Sequence, residues 1–161
     1  MNKATAILWG TLVVGTLDAI DALVVFGLRG STPIQIFQGI ASGWLGRASF
    51  RGGLSTALLG VLTHYFIAFA IVATYFVASR RLPRLTRRPL ICGAAYGAAV
   101  YFFMNLVVIP LSAIGAVRFS PVLFANGILI HMFGVGIPSA LFAARGRSAA
   151  VRSVRLQADR E

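Results

Sequence analysis

Four apolar runs, Thr5 to Leu28, Leu54 to Ala78, Leu90 to Ile114 and Pro121 to Ala144, dominate the 161-residue sequence. Each matches or exceeds the roughly 20 residues a helix needs to cross a hydrocarbon core. A chain carrying four such runs has few solutions in water, and its charged fraction of 12% lies far below the roughly 25% usual in soluble domains. The reading is an all-α, polytopic membrane four-helix bundle. Residues 1–146 are expected to form one transmembrane domain and 147–161 a basic cytoplasmic tail. Lys3 ahead of the first run gives it the look of a signal peptide. Asp18 and Asp21 stand where a small-residue cleavage site should follow, so a retained helix is expected.

The net charge of +11 sorts by connection. Arg80, Arg81, Arg84, Arg87 and Arg88 crowd the second connection, and Arg145, Arg147, Arg152, Arg155 and Arg160 the tail; the first holds Arg29, Arg47 and Arg51, the third only Arg118. By the positive-inside rule both termini and the second connection are cytoplasmic. Anionic lipid headgroups at that face are the expected partner, at about 1 kcal/mol per Lys or Arg, in preference to nucleic acid. Cys92 is the lone cysteine, so no internal disulfide can form, and a packing role is expected.

Between the first two runs, "STPIQIFQGIASGWLGRASF" offers Ser31 or Thr32 as a cap, Pro33 at the first turn, and Ile34, Phe37, Ile40, Ala41 and Trp44 at helical steps. This predicts a short amphipathic interfacial helix lying on the outer leaflet or over the mouth of the bundle. The last run opens on "SP", with Ser120 as cap. Pro110 and Pro138 each remove a backbone bond, leaving the carbonyls of Leu106 and Gly134 short of a donor. In lipid such points are expected to face the interior. Gly93 and Gly97 form a GxxxG spacing for close helix approach, in this chain or between copies. Thr11, Gly15, Asp18 and Ala22 make a stripe of small residues that turns Asp18 inward.

Counting depth from each outer end places Asp18, His64 and His131 about 15 Å down and Asn105 about 13 Å. Asp21 lies one turn outward of Asp18, and Tyr101 and Ser112 can share the face of Asn105. An ionised carboxylate at mid-membrane costs about 2.5 to 3.5 kcal/mol even on the lenient scale, so Asp18 needs a partner. His64 and His131 are the available ones. Gly60 and Gly127 precede them by four residues and are expected to leave room for an imidazole partner, water or ion. The same spacing suggests a degenerate parallel repeat in which Asp18 matches Asn105 and His64 matches His131, with chance as the equal alternative.

The expected function is to bind or conduct a proton or small cation at Asp18, Asp21, His64, His131 and Asn105, supported by Tyr101, Gly60, Gly127, Pro110 and Pro138. A divalent metal on Asp18, His64 and His131 ranks second and bis-histidine haem third. A different class of reading is a scaffold or accessory subunit whose polar layer only fixes helix pairing. Enzymatic activity is not indicated, because no nucleophile elbow, phosphate-cradling loop or HExxH appears. Four helices seldom enclose a path alone, so a homo-oligomer or a larger membrane partner is expected.

The stretches "GTLDAIDA", "ASGWLGRASFRGG", "LGVLTHYFIAFAIVATYFVASRRLP", "CGAAYGAAVYFFMNLVVIPLS" and "HMFGVGIPSAL" resemble a widespread, uncharacterised family of four-helix bacterial inner-membrane proteins that includes YagU-like chains. The resemblance spans about Gly15 to Leu141. It implies a small bundle in the bacterial inner membrane and carries no activity over to particular residues.

Overall fold

The computed structural model describes residues 2–115 and 119–146; Arg118 and the basic tail, 147–161, lie outside the described residues. Among those described the fold is all-helical. Helix α1 spans Lys3–Gly27, α2 Pro33–Leu45, α3 Gly53–Arg81, and the short α4 Arg84–Arg87. They are followed by α5, Pro89–Leu111, and α6, Pro121–Gly146. The four long apolar helices are α1, α3, α5 and α6, and their ends fall within three residues of the apolar runs. Between 11% and 33% of each span is buried against the rest of the chain. Side chains such as Leu62, Phe66, Leu106 and Phe133 therefore turn outward, as they do where lipid is the solvent.

Local chemistry sets the helix starts. Asn2 caps α1, its Oδ1 accepting from the Thr5 amide at 2.8 Å. Thr32 and Gln35 form a reciprocal capping box at α2, with Pro33 in the first turn. Ser120 is the cap residue of α6 but makes no side-chain cap bond. Ahead of each intrahelical proline the ladder widens. Met104–Val108 and His131–Gly136 are π-helical, so Ile109 donates to Met104 and Ile137 to Met132, five residues back rather than four. Gly134 is buried, as expected for an interruption facing protein, whereas Leu106 is 71% exposed and Pro110 is exposed too. The two prolines thus sit in different surroundings, because α5 is the least buried of the four spans.

Small residues govern the packing. Gly15 of α1 admits the Tyr65 ring of α3, which would lie 2.7 Å from any added Cβ. The GxxxG pair works within the chain: a Cβ on Gly93 would come 2.8 Å from the carbonyl oxygen of Gly136, and one on Gly97 would strike the His131 carbonyl. The result is two antiparallel hairpins, α1 with α3 and α5 with α6, joined along α1 and α6. Two buried clusters form that joint: Ala6, Tyr75, Phe76, Ala140 and Ala143 near the arginine-rich end, and Val14, Ala68, Val72 and Val135 nearer the middle. Helices α3 and α5 meet through Tyr96, whose hydroxyl donates to the Ile71 carbonyl at 2.8 Å and whose ring lies 4.9 Å from that of Tyr75. Beyond that contact the hairpins diverge.

Helix α2 crosses α3 where Gly60 has no side chain; a Cβ there would collide with the Phe37 carbonyl. The face it turns inward is small and polar, Gln38, Ala41 and Ser42, while Ile34, Trp44 and Leu45 are exposed. Gln38 Nε2 donates to the Gly53 carbonyl at 2.9 Å, and Trp44 Nε1 to Thr63 Oγ1 at 3.1 Å. The apolar periodicity is therefore split: Ile34 and Trp44 are exposed, Ala41 is buried, and Phe37 and Ile40 line the cavity beside His64.

Candidate functional site

Where the hairpins diverge they enclose a cavity of about 630 Å³. One wall is α1 and α3, carrying Asp18, Asp21 and His64; the other is α5 and α6, carrying Tyr101, Asn105, Asn126 and His131. The predicted stripe on α1 turns inward, with Thr11 and Gly15 buried and Asp18 and Ala22 half-buried.

Because Gly15 lets α3 approach so closely, His64 reaches its carbonyl, with Nε2 2.7 Å from the oxygen. A carbonyl only accepts, so Nε2 carries the proton. The other nitrogen, Nδ1, then faces Asp18 Oδ2 at 4.0 Å, beyond hydrogen-bond distance but within reach of an ion pair. The neutral Nε2–H imidazole and an ionised carboxylate would point two lone pairs at each other in a site where His64 is 8% exposed. One additional proton removes the conflict, on Nδ1 or on the carboxyl.

Asp21 has a different partner. Asn126 Nδ2 of α6 donates to its Oδ2 at 2.8 Å, tying the two hairpins together. Asn126 was not among the expected site residues. Counted from the outer helix ends it is five residues in, and Asp21 seven, so the two lie at about 8 and 10 Å and depth could have paired them. Asn105 and His131 satisfy their own helices instead. Asn105 Nδ2 donates to the Tyr101 carbonyl at 2.9 Å and His131 Nδ1 to the Gly127 carbonyl at 2.9 Å, each where the adjoining π segment shifts the ladder. Ser112 likewise donates to the Ile109 carbonyl at 2.7 Å.

His64 thus bonds across helices and His131 within one, so the proposed repeat does not extend to what the side chains do. Nor do the glycines leave empty space. Gly60 is occupied by the backbone of α2, and a Cβ on Gly127 would collide with the Tyr101 ring. That ring lies edge-on to His131 at 5.4 Å. Among the described residues no three His, Cys, Asp or Glu side chains group closely enough to hold a metal ion, and Asp18, His64 and His131 do not form such a set.

No protein-family model matches the chain, and no curated protein or solved structure matches it. The functional reading therefore rests on the geometry.

Proposed function

We propose that this protein is a multi-pass protein of the bacterial inner membrane that binds and exchanges a proton or small cation at Asp18 and His64. The observation that carries the reading is the Gly15–His64–Asp18 chain, which fixes one imidazole proton on a carbonyl and leaves the second nitrogen facing a carboxylate. Asp18 keeps 29% of its side chain exposed, so an ion in the cavity can reach it. On the arginine-rich side, Val14, Ala68, Val72 and Val135 close the floor. The site is thus sealed on the inward side. Asp21, bridged to Asn126, lines the approach.

In the proposed membrane placement, the four long helices form one bundle and α2 lies at the outer interface. Helix α3 has 29 residues and is about 43 Å long, well over the roughly 30 Å of a hydrocarbon core. Counting about 20 residues outward from Arg80 ends near Gly60, where α2 crosses. Trp44, 67% exposed, then sits at headgroup depth. On this count His64 lies only about 6 Å below the interface, shallower than a count from Leu54 suggests. The arginine-rich end faces the cytoplasm and its anionic lipids. Reporter fusions after Glu161 and within Leu82 to Thr86 are expected to give cytoplasmic signals, and an external signal at either reverses the orientation.

The scaffold reading keeps one observation of its own: the Asp21–Asn126 bond joins the hairpins whether or not Asp18 holds a proton. The tautomer of His64 tests the proton site. In 15N-labelled protein, imidazole spectra between pH 5 and 8, the range that brackets an ordinary histidine, are expected to keep the Nε2 proton throughout while the Asp18–His64 pair gains one proton on acidification. A neutral Nδ1–H tautomer, or a pair that takes up none, overturns the reading.

A further inference from the structure

The cavity is far larger than a proton or a bare cation requires. At about 630 Å³ it has the size of a pocket for a drug-sized molecule, typically 300 to 1,000 Å³, and its lining is mostly carbon. Asp18 and Asp21 contribute to that lining, and among the described residues no Lys or Arg does. Opposite the acids stands an aromatic wall. Tyr101 contacts Phe102 and Phe124 at 5.8 and 5.7 Å between ring centroids, and Phe124 contacts Phe119 at 5.7 Å. Two carboxylates and a cluster of aromatic rings lining one cavity is a combination that attracts a weakly hydrated organic cation, since ring quadrupoles add to the carboxylate field where water is scarce.

The entrance has matching chemistry. Between α3 and α5, beyond the Tyr96 contact, runs an apolar groove of about 410 Å³ that shares Ile67, Ile71 and Met104 with the cavity. An amphiphile dissolved in the bilayer would meet this groove from the side, and the groove adjoins the cavity that Asp18 and Asp21 line. We infer that the cavity binds a lipophilic organic monocation, a quaternary ammonium or phosphonium, which enters between α3 and α5 and displaces the proton held by Asp18 and His64. The inference rests on the proton site of the preceding section and names its competing ligand. One positive charge enters as one proton leaves, so the charge of the site is conserved.

The probe is tetraphenylphosphonium, titrated into the full chain in detergent by calorimetry in buffers of different ionisation heat. Saturable binding is expected, with release approaching one proton at acidic pH and affinity rising with pH over the range in which the pair titrates. Asp18→Asn is expected to abolish proton release and weaken binding at least tenfold. Phe124→Leu, which keeps an apolar side chain and removes the ring, should weaken it about 2- to 30-fold. Thermal melts establish that each variant is folded. Should Asp18→Asn fail to fold, proton release by the wild-type chain still decides the matter. Binding without proton release, or equal binding by folded Asp18→Asn, marks adventitious partitioning and overturns the inference. Absence of binding alongside the expected His64 spectra overturns it and leaves the proton site standing, whereas absence of both removes the two together.

Discussion

Gly97→Ala is expected to destabilise the protein by about 1 to 3 kcal/mol or more, although it adds a single methyl group. The methyl would strike the carbonyl of His131 and lie 2.8 Å from the Met132 Cα. Both are backbone, so no rotamer change relieves the clash, and α5 must move off α6 along the whole contact. Gly136 faces the reverse constraint, its own Cβ position lying 2.8 Å from the Gly97 Cα. Separation would also displace Tyr101 and Asn126 and so open the cavity wall. Gly39→Ala is the control, because no atom lies within 4 Å of a Cβ there and α2 continues through it. Removing a mid-helix glycine at an open site should be neutral or stabilise by up to about 1 kcal/mol. Reversible unfolding in detergent compares the two, and equal stabilities would mean that the α5–α6 contact is not built on the missing side chains.

The contrast between these glycines marks what the sequence makes legible. Spacing showed that Gly93 and Gly97 share a helix face; it could not show that the facing surface would be the π segment of α6. The widened ladders were hidden for a similar reason. A four-residue bond pattern at the prolines strands the carbonyls of Leu106 and Gly134, whereas the structure uses a five-residue pattern there, Ile109 donating to Met104 and Ile137 to Met132. Hydrophobic runs and capping residues, by contrast, are local signals, and the helix ends followed from them closely. Ser31 or Thr32 ahead of Pro33 is an example: the sequence offers both as caps, and the structure uses Thr32, in a box completed by Gln35.

For the polar layer, sequence speaks to position along each helix and not to rotation about it. Depth placed Asp18, His64, His131 and Asn105 at one level, yet each residue turns a helix face by about 100°, so equal depth does not establish which side chains meet. What settles His64 is Gly15, whose missing side chain brings α3 against α1. Asn126 carries a weaker signal in the sequence than the acids do, because an amide costs less in lipid than a charge. Its bond to Asp21 shows that such an amide can hold one of the acids in place.

Energetic coupling provides the most stringent test of the Asp18–His64 site. Asp18→Asn and His64→Ala should each destabilise the protein or shift its pH response, and the double change should cost less than their sum. Residues within one network show interaction terms of about 0.5 to 3 kcal/mol, whereas independent residues add to within about 0.5. His64→Ala leaves the Gly15 carbonyl without its imidazole donor and the Asp18 carboxylate without its neighbour. Once Asp18 is Asn, the second of those losses is already absent, and the interaction term measures it. Asp18→Asn with His131→Ala should add, because His131 bonds to the Gly127 carbonyl of its own helix. Asp21→Asn with Asn126→Ala gauges the scale, since hydrogen-bonded pairs in membranes average about 0.6 and reach about 1.7 kcal/mol. A coupling for Asp18 and His64 above that ceiling, and larger at a pH where the pair holds its extra proton, requires a shared charge rather than a hydrogen bond. Additivity would mean that the 4.0 Å approach carries no energy. His64 would then serve only to fasten α3 to Gly15, and the acid would be solvated from the cavity instead of partnered.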